Sequence, residues 1–283
     1  DGLQAGERVA ICLRNSVNWV AVDMAALGLG LVVVKNSNHY GIAGYYAMMA
    51  LPHNMIGISF TNSQPLVAPT YGRKAILGTN PIAVAVPAGK ERPYVLDMAT
   101  SIVPIGRITV YEKAGKEIPL GWGIAGDGQV TLNPTEVLQG GALMPLGGID
   151  LMRGYKGYGL GLLVDIFCGV LSGGRTFGMD VDPHTERPAR TSHFFAALRI
   201  DAFRPVADFV EDMDGLIRQL KESPKAVDQQ RIYIHGEKEF ERAERYAKEG
   251  VPLLEKVVSE RSSSGHEDGV EFDCPVLGVI EKG

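Results

Sequence analysis

The stretch LVVVKNSNHYG, residues 31–41, joins a short apolar run to a polar turn that carries one histidine. Leucine followed by three valines predicts a buried strand at residues 31–34, since β-branched side chains suit a pleated, buried surface. Residues 36–41 follow as a turn of small polar residues around His39. A strand that delivers an imidazole into a polar turn can present an acid/base group. His39 is therefore a candidate catalytic residue, and an ordinary hydrogen-bonded histidine is the alternative.

The bulk composition predicts a globular protein with a sizeable core. The chain has 283 residues, of which 45% are hydrophobic, and this suits one large domain or two smaller ones. A formal net charge of -5, with scattered lysines and arginines, argues against a nucleic-acid partner. No apolar run approaches the roughly 18 residues of a membrane span, and no basic segment leads into a signal core. We expect neither a membrane partner nor export.

The cysteines and acidic residues do not form the pattern of a metal site or a disulfide framework. The three cysteines lie far apart, at Cys12, Cys168 and Cys274. One later loop has several possible ligands, namely Asp180, Asp182, His184 and Glu186. Alternating polar residues around a proline are more typical of a solvated loop than of a metal site. We predict no metal and a reducing, cytoplasmic location.

Beyond residue 55, short strands punctuated by glycine and proline predict a sheet with flanking helices. The clearest strands are at residues 56–61, 81–86, 94–98 and 193–200. Helical spacing of apolar residues predicts helices at 42–51, 159–171, 206–220, 237–248 and 252–260. The helix at 159–171 is apolar nearly all round, so we expect it to be buried. These elements indicate an α/β protein with a mixed sheet.

One literal match to the dinucleotide fingerprint G-x-G-x-x-G occurs at residues 121–126. The fingerprint needs a strand before it and a helix after it, because the helix N-terminus binds the pyrophosphate. Asp127 and Gly128 follow instead. We interpret the match as a loop, and a Rossmann fold is not indicated.

Three further motifs have the residue types of a ligand site. Residues 156–159, Lys-Gly-Tyr-Gly, precede the apolar helix, and a lysine beside unpaired N–H groups would attract an anion; a solvated lysine is the alternative. Asp97 ends an apolar strand before small residues, which suits hydrogen bonds to ligand hydroxyls; a capping aspartate is the alternative. Residues 78–81, Gly-Thr-Asn-Pro, are a third candidate part of a ligand site; a simple turn into the next strand is the alternative.

Taken together, these motifs resemble the non-Rossmann malate/L-lactate dehydrogenase family. From about residue 31 onward they follow the family's order and spacing, at 36–41, 61–63, 77–81, 96–101, 156–160 and 193–195. The resemblance implies a homodimeric α/β protein whose mixed sheet and flanking helices form a cofactor fold of their own. It also implies hydride transfer between NAD or NADP and a small 2-hydroxy or 2-oxo acid, of the malate, lactate, ureidoglycolate or sulfolactate class.

The resemblance also implies roles for individual residues. His39 matches the family histidine that takes the proton of the substrate hydroxyl, or returns it in the reverse direction. The positions that match cofactor contacts are Ser63, Asp97, Met98, Ala99, Tyr155, Lys156, His235, Gly236 and Glu237. His235 departs from the family pattern, which usually has proline there.

Residues 1–34 depart from this family and read as a strand-helix-strand segment. They resemble an early part of adenylate-forming acyl-CoA synthetases, although the phosphate loop that those enzymes need is missing. The Ser-His-Gly segment and the arginine with which the dehydrogenase family binds the substrate carboxylate are missing too. We therefore predict a hybrid chain: residues 1–34 of foreign character, and residues 35–283 as the dehydrogenase body with C-terminal helices. We expect impaired activity, and the alternative is a non-catalytic remnant that folds or dimerises without turnover.

Overall fold

The computed structural model describes residues 30–174 and 190–253, together with Ser263 and Gly269. It divides the chain into two compact units, Asp1–His235 and Gly236–Gly283. Several predictions lie outside the described residues. They are the elements before residue 30, the acidic loop of Asp180, Asp182, His184 and Glu186, two of the cysteines, and residues 254–260 of the last predicted helix.

Eight strands and five α-helices are described in the first unit. The strands are β1 (Leu31–Ser37), β2 (Met55–Thr61), β3 (Ile82–Val86), β4 (Tyr94–Met98), β5 (Gly123–Ile124), β6 (Val130–Thr131), β7 (Ala142–Leu143) and β8 (Thr191–Arg199). The helices are α1 (Ala43–Met48), α2 (Ile105–Lys113), α3 (Pro134–Leu138), α4 (Tyr155–Asp165) and α5 (Val206–Glu222). Short 3-10 turns occur at Leu51–His53, Asp150–Met152 and Ile200–Ala202, and α4 continues as a π-helix, Ile166–Val170.

Five of the strands form one sheet in the order β1-β8-β2-β3-β4, and every neighbouring pair in it is antiparallel. A smaller antiparallel sheet has the order β6-β5-β7. A Rossmann fold is built on a mostly parallel sheet, so the prediction of a different α/β fold is confirmed. Among the described strands, however, the sheets are antiparallel and not mixed as predicted. Residues 121–126 form a turn and β5 rather than a link from a strand to a helix, as predicted.

The predicted strands at 31–34, 56–61, 81–86, 94–98 and 193–200 correspond to β1, β2, β3, β4 and β8. The predicted boundary between residues 34 and 35 lies inside β1. Val34 pairs with His193, and beyond an irregularity Ser37 pairs with Thr191 on the same neighbouring strand. Residues 31–34 are therefore part of the same sheet as residues 35–37. The foreign origin of residues 1–34 stays a prediction.

Helix α1 covers one face of the large sheet through direct contact with backbone. A Cβ atom on Gly57 in β2 would overlap the carbonyl oxygen of Ala47 in α1, so only glycine permits this approach. At the start of the helix, the N–H of Gly44 donates to Oδ2 of Asp97 at 2.7 Å. These two contacts fix α1 on β2 and on the end of β4.

The opposite face of the sheet packs on α4 and the π-helix. Val164 and Cys168 are fully buried against Phe194 of β8, whose ring also lies 5.3 Å from that of Phe60 and 5.0 Å from that of Phe167. Burial raises the pKa of the Cys168 thiol, which is not part of a disulfide. The sheet is thus enclosed between α1 and α4.

The prediction that the helix at 159–171 is buried on all sides is wrong. The helix begins earlier, at Tyr155, and only the side toward the sheet is buried. Large apolar side chains on its other side are exposed, at Leu160, Leu163, Ile166 and Val170. Uniform apolar character does not reveal which side packs on the sheet.

A buried carboxylate ties α4 to the strand ends. Asp165 accepts hydrogen bonds from the side-chain amides of Asn62 at 3.2 Å and Asn80 at 2.9 Å. In turn, Oδ1 of Asn62 accepts from the N–H of Ser192 at 2.8 Å, and Oδ1 of Asn80 accepts from the N–H of Ser63 at 3.2 Å. One network therefore joins α4 to the end of β2, the start of β3 and the start of β8. Burial raises the pKa of Asp165, and the two amides partly oppose this rise.

The described part of the second unit is mainly one helix, α6 (Glu237–Glu249), which confirms the prediction at 237–248. Gly236 precedes it with a φ of 93°, and Glu237 and Glu239 in its first turn suit the positive end of the helix dipole. Pro252 and Leu253 are not helical. Among the described residues of the chain, no helix has the length and apolar character that a bilayer crossing demands.

We expect the substitution Gly57→Ala to lower the free energy of unfolding by about 1–3 kcal/mol, because the added Cβ must displace α1 from the sheet. Gly215→Ala in α5 is a matched control, since a Cβ there meets nothing within 4 Å. Alanine at this helical position should stabilise the protein by up to about 1 kcal/mol. Urea unfolding followed by circular dichroism measures both changes. Equal midpoints for the two variants would contradict the close packing.

We expect Asp165→Asn to lower the free energy of unfolding by about 1–3 kcal/mol, because a new amide group would face the amide donors of Asn62 and Asn80. The pKa of Asp165 is raised from its usual 3.8, so folding favours the protonated form. The stability that this group contributes is present below pH 3.8 and is lost as the pH rises through the raised pKa. The stability difference between the wild type and the variant should therefore fall as the pH increases over this range.

Urea unfolding at a series of pH values measures this difference. Asp212→Asn is the control, because that carboxylate pairs with Arg204 at the surface with 69% of its side chain exposed, and surface ion pairs contribute about 0–1 kcal/mol. If the difference for Asp165→Asn does not depend on pH, the carboxylate does not titrate as described.

Candidate functional site

The polar turn after β1 holds His39 at the surface. Asn36 and Gly41, on either side, adopt left-handed backbone with φ values of 57° and 90°. Asparagine and glycine adopt this conformation most readily, so the sequence permits the turn. Nδ1 of His39 accepts a hydrogen bond from the N–H of Gly41 at 3.1 Å. A ring nitrogen that accepts a hydrogen bond carries no proton, so this contact fits the tautomer with its proton on Nε2.

Tyr40 anchors the turn to the sheet. Its buried ring stacks on His193 of β8, with 4.4 Å between the centroids, and on Tyr46 of α1, at 4.7 Å. The Tyr40 hydroxyl forms a hydrogen bond of 3.0 Å with that of Ser59, and the Tyr40 carbonyl accepts from the Tyr46 hydroxyl at 2.7 Å. Burial raises the pKa of Tyr40, so its hydroxyl stays protonated. Tyr40, the residue after His39, is therefore held between the rings of His193 and Tyr46.

His193 lies within the sheet next to this turn and has no exposed surface. Its Nδ1 is 2.7 Å from Oγ1 of Thr61. Burial lowers the pKa of His193 to about 3; a hydrogen bond with the backbone of Asn38 opposes the change, and the charge of His39 adds to it. The sequence places this histidine in a family motif but assigns it no role. The feature that distinguishes His193 is its pairing with Thr61. This pairing can be recognised only once β2 and β8 are known to be neighbouring strands.

A chain of hydrogen bonds connects Ser63 to the segments that follow β4 and precede α4. Oγ of Ser63 accepts from the N–H of Thr79 at 3.0 Å, and its hydroxyl lies 3.3 Å from that of Thr79. The carbonyl of Thr79 accepts from the N–H of Thr100, and the carbonyl of Thr100 accepts from the N–H of Leu146, each at 2.8 Å. The predicted motifs at 61–63, 78–81 and 96–101 are therefore brought together.

Tyr155 and Lys156 begin α4, so the glycines at 157 and 159 lie in the first turns of the helix and not before it. A Cβ on Gly157 would overlap the backbone of Leu146, which means that this glycine permits close packing within the protein rather than a close approach by a ligand. Tyr155 and Lys156 are both exposed. Within the described part of the chain, Lys156 has no ion pair. An exposed cation in the first turn of a helix can attract an anion.

Asp97 is exposed and makes the contact expected of the capping alternative, since it accepts from the N–H of Gly44 in the first turn of α1. The predicted cofactor positions Met98 and Ala99 follow it directly and are half-buried. This places the end of β4 beside the start of α1, close in the chain to the histidine turn. The cofactor role of these three residues stays a prediction.

His235 lies at the other end of β4. Its carbonyl accepts from the N–H of Val95 at 3.0 Å, and its ring centroid is 5.6 Å from that of Tyr94. The structure therefore places His235 at the start of β4, whereas Met98 is at the end of that strand. Gly236 and Glu237 belong to the second unit, where Glu237 is buried at the start of α6. Their predicted role also stays untested.

The chemistry of the first-unit residues fits a nicotinamide dinucleotide. Such a cofactor carries phosphate groups and ribose hydroxyls, for which an exposed lysine and a pair of adjacent hydroxyls are suitable partners. Lys156 supplies the cation, and Ser63 and Thr79 supply the hydroxyls. Among the described residues, no group of three or more histidines, cysteines or acids is arranged to hold a metal ion.

Comparison with known proteins agrees with this fold. A sequence model of the malate/L-lactate dehydrogenase family matches residues 10–260. Malate dehydrogenase from Pyrococcus abyssi is 51% identical over 245 residues, which are 86% of this chain and 67% of that protein.

Two solved structures share the fold. Malate dehydrogenase from Pyrococcus horikoshii has a TM-score of 0.77 at 46% identity, with 89% of this chain and 70% of that chain covered. Sulfolactate dehydrogenase from Methanocaldococcus jannaschii has a TM-score of 0.76 at 32% identity, with 89% and 71% covered. Because both the sequence model and these relatives match most of its length, the chain belongs to the malate/L-lactate dehydrogenase family, and a dehydrogenase of this family implies a nicotinamide cofactor.

Proposed function

We propose that this protein catalyses the reversible oxidation of malate, or of a closely similar small 2-hydroxy acid, with NAD or NADP. The observation that carries the proposal is the exposed imidazole of His39, held at the end of β1 by a buried neighbour. The preference for malate is supported by the relative with 51% identity, a malate dehydrogenase. The cytoplasmic location stays a prediction.

His39 exchanges a proton with the substrate hydroxyl in this proposal. When bound, a nicotinamide cofactor would supply hydride transfer to or from the carbon that bears the hydroxyl. In the state described, Nε2 carries the proton, so it can donate a hydrogen bond to the oxygen of a 2-oxo acid. To accept the alcohol proton at Nε2, the ring must move its own proton to Nδ1, and this requires the contact with Gly41 to open.

The proposed cofactor contacts are those that the family resemblance implies. Lys156 would attract a phosphate group, and the hydroxyl of Ser63 would donate to or accept from the cofactor. The remaining proposed contacts are Asp97, Met98, Ala99, Tyr155, His235, Gly236 and Glu237. Both NAD and NADP are compatible with this set, so the experiments below use each of them.

A homodimer is the proposed assembly. Its support is the exposed apolar side of α4 and the π-helix, where large side chains recur every three or four residues at Leu160, Leu163, Ile166 and Val170. Monomeric proteins rarely expose a contiguous apolar surface of this kind without a function. A second copy of the chain would remove these side chains from water.

We expect His39→Ala to lower kcat for malate oxidation by about 10²–10⁴-fold, because the reaction loses its proton acceptor. The dissociation constant of NADH or NADPH, measured by nucleotide fluorescence, should stay unchanged. His53→Ala is the control, since His53 is an exposed histidine in a 3-10 turn. Turnover is measured by the absorbance of the reduced cofactor with malate, lactate, sulfolactate and ureidoglycolate.

Full turnover by His39→Ala would contradict the assignment of the acid/base residue. Cofactor binding by the wild type without turnover of any of these acids would indicate a non-catalytic remnant instead. Turnover of sulfolactate or lactate in preference to malate would keep the reaction type and correct the substrate.

We expect Leu163→Asp to convert the dimer to a monomer, because a carboxylate on the apolar side of α4 would be buried without a partner. Sedimentation equilibrium measures the mass. Val227→Asp is the control, since that side chain is 87% exposed in the segment after α5 and lies outside the apolar surface. A monomeric wild type, or a dimeric Leu163→Asp variant, would contradict the proposed interface.

A further inference from the structure

We infer that His193 is a positioning residue for His39, and that its buried imidazole sets the place of the histidine turn through its stack on Tyr40. The inference rests on the proposed acid/base role of His39. His193 itself is enclosed in the sheet and does not meet the substrate.

The sheet register puts the ring of His193 beneath the turn. His193 in β8 pairs with Val34 on one side and with Thr61 on the other. Directly paired residues of antiparallel strands point to the same face, so its ring lies on the face that α1 covers. There it stacks almost parallel to Tyr40, with 9° between the ring planes. The turn therefore rests on a ring supplied by the centre of the sheet.

Polar contacts fix the rotation of this ring. The hydroxyl of Thr61 lies 2.7 Å from Nδ1 of His193, 3.0 Å from the carbonyl of Asn62 and 3.2 Å from that of Ser192. A hydroxyl has one proton to donate, so when Thr61 donates to a carbonyl it accepts from Nδ1–H of His193. One imidazole thus connects Thr61 of β2 to Tyr40, the residue that follows His39.

The charge state of His193 suits this position. Burial holds the pKa of His193 near 3, so this ring is neutral at neutral pH. A cation at this place would oppose proton uptake by His39, because like charges at short distance repel in a low dielectric. A histidine therefore provides stacking and hydrogen bonds here without adding charge.

We expect His193→Phe to keep the stack on Tyr40 and to lose the hydrogen bond with Thr61. Since a displacement of about 1 Å at a reacting group can cost up to about 10²-fold in rate, kcat should fall by about 10–100-fold. KM and the dissociation constant of the cofactor should change by less than about threefold, because the ring touches neither ligand. His193→Asn, which retains an amide near the position of Nδ1, should recover part of the loss.

The decisive measurement is the same substitution in the background of His39→Ala. If His193 acts through His39, then His193→Phe should not reduce the residual activity of His39→Ala any further. An equal loss in both backgrounds would overturn the inference, since the effect would then be independent of His39. An unchanged kcat of His193→Phe in the wild-type background would overturn it as well. His53→Phe provides the matched control at an exposed histidine.

Thr61→Val tests the same contact without a change at His193, in case His193→Phe does not fold. It removes the hydroxyl but keeps the shape, and we expect a fall in kcat of about 3–10-fold that disappears when His39 is alanine. An unchanged kcat would overturn the role of the Thr61 contact. A wrong assignment of His39 can be distinguished from a wrong role for His193. If His39 is not the acid/base residue, the substitution His39→Ala alone leaves turnover intact.

Discussion

The structure depends on one buried carboxylate. Asp165 holds the side chains of Asn62 and Asn80, which in turn bind backbone N–H groups at the start of β8 and just after β2. Because unpaired polar groups are costly inside a protein, each member of this network requires the others to be in place. The ends of three strands are thereby fixed relative to α4, at the same end of the sheet where β1 leads into the histidine turn.

Two glycines let helices approach neighbouring backbone closely and have a similar effect. Gly57 lets the backbone of α1 touch β2, and Gly157 lets α4 touch the segment at Leu146. Neither contact leaves room for a side chain, so each helix has a fixed distance from its neighbour. The start of α1, which follows the histidine turn, and the start of α4 derive their positions from these contacts.

The sequence predicts most of the elements because their patterns are local. Valine-rich and alternating runs identify the five strands of the large sheet, and the turn chemistry of Asn36 and Gly41 indicates that His39 is presented at a strand end. Contacts between residues that are far apart in the chain could not be predicted in this way. Nothing near Asp97 in the chain indicates Gly44, nothing near His193 indicates Tyr40, and the glycine at 157 is explained only by Leu146. The exposed side of α4 was missed for the same reason, since its apolar residues look alike on both sides.

The position of β1 in the sheet has a dynamic consequence. Within the described residues, β1 is an edge strand whose neighbour is β8. A strand with a ladder on one side exchanges its amide hydrogens through local opening more easily than a central strand does. The segment that carries His39 is therefore retained by backbone bonds on one flank and by stacked rings beneath it. The time for which this turn keeps its conformation should depend on the aromatic contacts of Tyr40 as much as on the sheet.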